Sequence, residues 1–227
     1  KALISQYATA ATPLYGIISV SEFVEVFNRY EETHTTADEV LLALTRLAKT
    51  DDVEYSICDG IISGPEFQPD FNDYKDNVEA IREAQRDKPR YLPDKEEFLK
   101  YVDDNYRAPE KPYTKLKAII LKHNLCPRGD GLDGVDGDLL DLQEMIQYGV
   151  GPSDEIGFFS TAGYQYKDLD EANAFFQLVI DAHNHTRMYD NNGFTPFELA
   201  EQFRSLKSKP LKNKPFGLKA TPKVGKN

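Results

Sequence analysis

Tryptophan is absent from the 227 residues, and cysteine, methionine and histidine are scarce, at two, two and four. Each gap narrows the field. Two cysteines, Cys58 and Cys126, cannot frame a disulfide-stapled secreted fold, so buried free thiols in a reducing cytoplasm are expected. His183 and His185 are two apart on an expected helix, point to nearly opposite sides and share no metal from one face. His183 continues an apolar stripe and reads as a core histidine with a partner. His123 and Cys126, three apart, form a candidate pair of ligands or a nucleophile with its base. Nothing else is spaced to complete such a site, so packing is their expected role. No run of about 18 apolar residues is present, which excludes a membrane-crossing helix, and no signal peptide is expected. The nucleophile elbow, the phosphate loop, the dinucleotide fingerprint and the His-Glu-x-x-His zinc motif are all missing, so an enzyme is not expected.

What remains is a globular composition, 40% hydrophobic with 13 Tyr and 13 Phe, enough for one substantial core or two small ones. Charge is divided unevenly. Residues 207–227 hold seven lysines and no acid, whereas residues 1–206 hold 20 basic and 38 acidic side chains, giving +7 on the tail and −18 on the body. An acidic body repels nucleic acid and anionic membrane, while a lysine tail attracts them, folds back onto the body, or serves as a solvated linker.

Read in order, the N-terminal part predicts a helix over 2–12 ended by Pro13, a short strand over 14–19, and a helix capped by Ser19 or Ser21 that runs to about Tyr30. Thr36 and Glu39 then form a capping box for a third helix with Val40, Leu41, Leu44, Leu47 and Ala48 inward. Strands over 53–58 and 61–67 flank Asp59-Gly60, a pair suited to a type I′ turn. This order is that of a winged helix, in which the third helix would read DNA. Here that helix offers only Arg46 and Lys49 against Asp38 and Glu39, and the wing carries Glu54, Asp59 and Glu66. A scaffold or protein-docking use is favoured over nucleic-acid binding.

Beyond a boundary placed at 68–72, periodic helices dominate: one over 71–86 with Tyr74, Val78 and Ile81 inward, one begun by Asp94 and Glu97 with Phe98, Tyr101 and Val102, and one from Thr114 to about His123. The stretch 126–138 packs four glycines and four aspartates into 13 residues. Calcium ligation fails on spacing, because counting twelve back from Glu144 puts Val135 and Gly137 where ligands three and five belong. A solvated loop before a helix over 139–148 is expected. The fold class is therefore mainly α: a winged-helix-like part over 1–70 with a small β-hairpin, an α-helical bundle over 71–206, and a basic Lys/Pro-rich linker over 207–227.

The most informative stretch is 184–199. A helix over 168–188, capped by Asp168 and carrying Leu169, Ala172, Phe175, Phe176, Val179 and Ile180 on one face, ends near Asn191-Asn192-Gly193, which supplies positive φ. Thr195-Pro196-Phe197-Glu198 opens the next helix with a capping hydroxyl, a proline at its first position and an acid that reaches back. Arg187 either bonds the carbonyls at its own C-terminus or pairs with Glu198. The exposed rim of this helix–turn–helix, Arg187, Tyr189, Phe194 and Phe197, is a candidate partner surface, with a local packing cluster as the alternative. Arg46, Lys49, Lys207, Lys209, Lys212 and Lys214 are the candidate nucleic-acid contacts.

Asn184-x-Thr186-Arg187-Met188-Tyr189, then Gly193, then Phe194-Thr195-Pro196-x-Glu198-Leu199 resembles the segment of bacterial proteins that end in a SEC-C motif, the zinc knuckle named for the C-terminus of the SecA translocation motor. Lys214-Pro215-Phe216-Gly217 and Val224-Gly225-Lys226-Asn227 resemble the linker that precedes that knuckle. The resemblance implies a cytoplasmic, non-enzymatic adaptor whose zinc, expected in a motif beyond Asn227, serves contact with a protein partner such as the ribosome, a chaperone or the translocation machinery. None of the motif's metal ligands is present in the sequence. Elemental analysis of the product of the complete reading frame and of residues 1–227 checks this, with about one zinc per chain expected in the first and none in the second.

Overall fold

The computed structural model describes residues 2–49, 53–67, 73–103, 106 and 110–208, with the backbone alone for 206–208. The fold is mainly α with one small antiparallel sheet. Helices α1 (Ala2–Tyr15), α2 (Val20–Tyr30) and α3 (Ala37–Leu47) enclose β1 (Ile17–Ser19), and the hairpin β2 (Ser56–Cys58), β3 (Ile61–Ser63) follows. The strand order is β1-β3-β2, so the first strand pairs with the far arm of the hairpin. Asp59 and Gly60 both take positive φ, 49° and 76°, as a type I′ turn demands. Ser19 and Thr36 each complete a capping box, with Glu22 and Glu39.

Helices α4 (Tyr74–Gln85) and α5 (Lys95–Lys100) lead into a C-terminal set: α6 (Lys111–His123), α7 (Val135–Gln147), α8 (Pro152–Thr161), α9 (Leu169–His185) and α10 (Pro196–Ser208). A 3₁₀ turn, Tyr189–Asn191, joins the last two. One core gathers Tyr7, Phe23, Phe27, Val40 and Leu44 around Phe98, where Tyr7 and Phe98 stack at 5.5 Å. A second centres on Phe159, Phe175, Leu116 and Val179. A third, smaller cluster joins Ile17 and Ile61 of the sheet to Tyr74, Val78 and Ile81 of α4 and to Tyr189. Phe98 and Tyr101 of α5 thus complete the N-terminal core, although they lie well past residue 70 in the chain. The boundary drawn at 68–72 itself falls outside the described residues.

Several local readings are corrected. Pro13 does not end α1, which continues to Tyr15, because the Thr12 hydroxyl donates to the Thr9 carbonyl that a proline amide cannot reach. The strands are shorter than expected, since Gly64 and Pro65 end β3 and the Gly64 amide turns to Gly16 O. Ala48 is exposed, and Ala43 takes the inward position. Helix α6 starts at Lys111 with Pro112 in its first turn, where no amide bond is lost. Helix α7 starts at Val135 inside the glycine-aspartate stretch, which buries Asp138 instead of solvating it. Leu169 is 73% exposed, and α9 stops at His185, where the Thr186 hydroxyl donates back to Ala182 O.

Gly16 ties the sheet to the 3₁₀ turn. Its φ is +71°, and a Cβ there would meet the Tyr189 ring at 2.8 Å. Gly60 has φ +76° with open space around it. Gly60→Ala is expected to cost about 1 kcal/mol, from backbone conformation alone. Gly16→Ala should cost at least about 2 kcal/mol, because a ring must also move. Urea unfolding midpoints of the two variants check the difference.

Candidate functional site

The extended residues between α9 and α10 carry the side chains that the sequence marked, and they point inward. Arg187 is only 8% exposed. Its guanidinium lies 3.5 Å above the Tyr91 ring, donates to Glu198 Oε2 at 2.9 Å and to Gly193 O at 3.0 Å, and its Nε donates to Tyr101 Oη at 3.1 Å. Burial opposes its charge, but Tyr101, Glu198 and Tyr91 hold its pKa above the ordinary arginine value. Of the two sequence alternatives for Arg187, the pair with Glu198 is realised, whereas the carbonyl it bonds is that of Gly193 beyond the 3₁₀ turn and not one at the C-terminus of α9. Glu198 also closes the expected capping box, accepting from the Thr195 amide while its own amide donates to Thr195 Oγ1. Asn192, with φ 52°, points its side-chain amide at the carbonyls of Gln85 and Lys88. Gln85 in turn donates to the carbonyls of Tyr15 and Tyr189. One turn thereby fastens α1, α4, α5 and α10 together.

The reading of an exposed rim is therefore corrected. Arg187 and Tyr189 are buried, Phe194 is half-buried against Tyr91, and only Phe197, stacked on His185 at 4.9 Å, is substantially exposed. A buried arginine needs carboxylate and carbonyl partners, and here four of its five donors are engaged within the chain, so it is held inward and not offered to an outside protein. Arg46 and Lys49 are exposed at the end of α3, on a stripe with Leu42 and Thr45. Lys207 lies in α10, while Lys209, Lys212 and Lys214 lie outside the described residues.

His123, His183 and His185 have partners close by. His183 Nδ1 is 2.7 Å from Glu155, a carboxylate with no exposure, and His123 Nδ1 is 2.6 Å from Glu171. Cys126 sits beside Asp138, which also accepts two bonds from Arg128 and one from Tyr164. His123 and Cys126 are thus drawn to different carboxylates and form no joint site. Among the described residues no group of three or more His, Cys, Asp or Glu is placed to hold a metal ion.

Beside the turn lies a cleft of about 500 Å³ between α1 and α7, lined by Tyr101, Arg187, Tyr148 and Tyr189 and by the carboxylates of Glu54, Glu66, Asp103 and Glu144. Gln147 spans it, donating to Pro13 O at 3.2 Å. Tyr148 and Tyr189 meet edge to face at 5.4 Å, and the Tyr189 hydroxyl donates to Glu66 Oε1 at 3.1 Å. Burial pushes the Glu66 carboxyl above the usual range; its backbone amide and the Tyr189 hydroxyl oppose this, and Glu144 adds to it. Glu66, expected on the wing, instead faces this cleft. Glu144 and Tyr148 are four apart at the end of α7, but no sequence signal joined them to Glu66, which reaches them only through the tertiary fold.

Arg187→Lys keeps the charge but loses the flat stack on Tyr91 and the fork to Glu198, and is expected to cost about 2 kcal/mol. A double-mutant cycle with Glu198→Gln should return a coupling of about 1 to 2 kcal/mol, reduced by the solvent that reaches Glu198. Additive effects would mean that the fork contributes nothing. No family model, no curated protein and no solved structure matches the chain.

Proposed function

We propose that the protein is a non-enzymatic adaptor, a rigid helical frame that presents its C-terminal helix and basic tail to a protein partner. The observation that carries this reading is the burial of Arg187. The residues most like the SEC-C-type segment serve to lock the frame, which leaves the exposed face of α10 as the described surface that can engage a partner. Helix α10 carries Phe197 and Phe203 exposed at 48% and 58%. Among the described residues no helix is long and apolar enough to cross a membrane. The ribosome, a chaperone and the translocation motor are the partners that the resemblance suggests, with zinc in the motif expected beyond Asn227.

A second reading draws on the β1-β3-β2 order and the placement of α3, which support a winged-helix arrangement with Arg46 and Lys49 outward. The acidic start of α3, Asp38 and Glu39, weighs against DNA as its ligand. The two readings separate in solution. Sedimentation with purified ribosomes, chaperone and translocation motor should show retention of the complete reading frame by one of them, lost on truncation after residue 206. Retention by none of the three would overturn the adaptor reading. Fluorescence anisotropy with duplex DNA and structured RNA should show no binding at low salt; binding that falls steeply with salt would establish the second reading instead.

A further inference from the structure

We draw no further inference here: the strongest candidate, the cleft between α1 and α7, rests on the cluster of carboxylates Glu54, Glu66, Asp103 and Glu144 alone, and nothing else among the described residues points to what would occupy it.

Discussion

A guanidinium removed from water must be paired on several sides, and in this chain the pairing of Arg187 dictates the shape of everything near it. Its partners come from α5, from the loop before α5, from the turn after α9 and from α10. No single element could satisfy it. Removing such a partner strands a buried charge at a cost of about 3 to 5 kcal/mol, comparable to a large core truncation. The turn that carries Arg187 also inserts Tyr189 against Gly16 and Asn192 against the end of α4, so the sheet, the N-terminal core and the C-terminal helices share one fastening point. That sharing, together with the apolar cluster of Ile17, Ile61, Val78, Ile81 and Tyr189, links the two ends of the molecule.

The same packing creates a local conflict. Glu66 and Glu144 line one cleft beside tyrosine rings, where burial raises the cost of ionising Glu66 and Glu144 adds to it. For a carboxyl held above its unfolded value, the stabilising protonated form is fully populated only below about pH 4.3, and that contribution fades as pH rises through the folded value. At neutral pH the ionised Glu66 carboxylate is therefore a cost to the fold.

Local features were legible in the sequence because their physics is local. The capping boxes at Ser19, Thr36 and Thr195, the Asp59-Gly60 turn and the apolar faces of α2, α4 and α9 depend on neighbours within a few residues. The mainly helical class with a small hairpin was readable for the same reason. Pro13 misled because a hydroxyl one residue earlier repaired the break. Asp138 looked like loop because its three partners, Cys126, Arg128 and Tyr164, are not arranged at any helical spacing. Arg187 was recognised as a structural residue, yet its depth depended on Tyr91 and Tyr101, almost a hundred positions away. The cleft was invisible for that reason too: 66, the end of α7 with 144 and 148, and 189 belong to three separate segments.

Native-state hydrogen exchange followed by mass spectrometry tests the central claim most directly, that Arg187 and its turn fasten the N-terminal and C-terminal cores into one cooperative unit. The slowest-exchanging amides of α2 and α3 and those of α6 and α9 are expected to open with the same free energy in the unmodified chain. In Arg187→Lys they should separate into two groups. Two distinct opening energies already present in the unmodified chain, left unchanged by the substitution, would contradict the account.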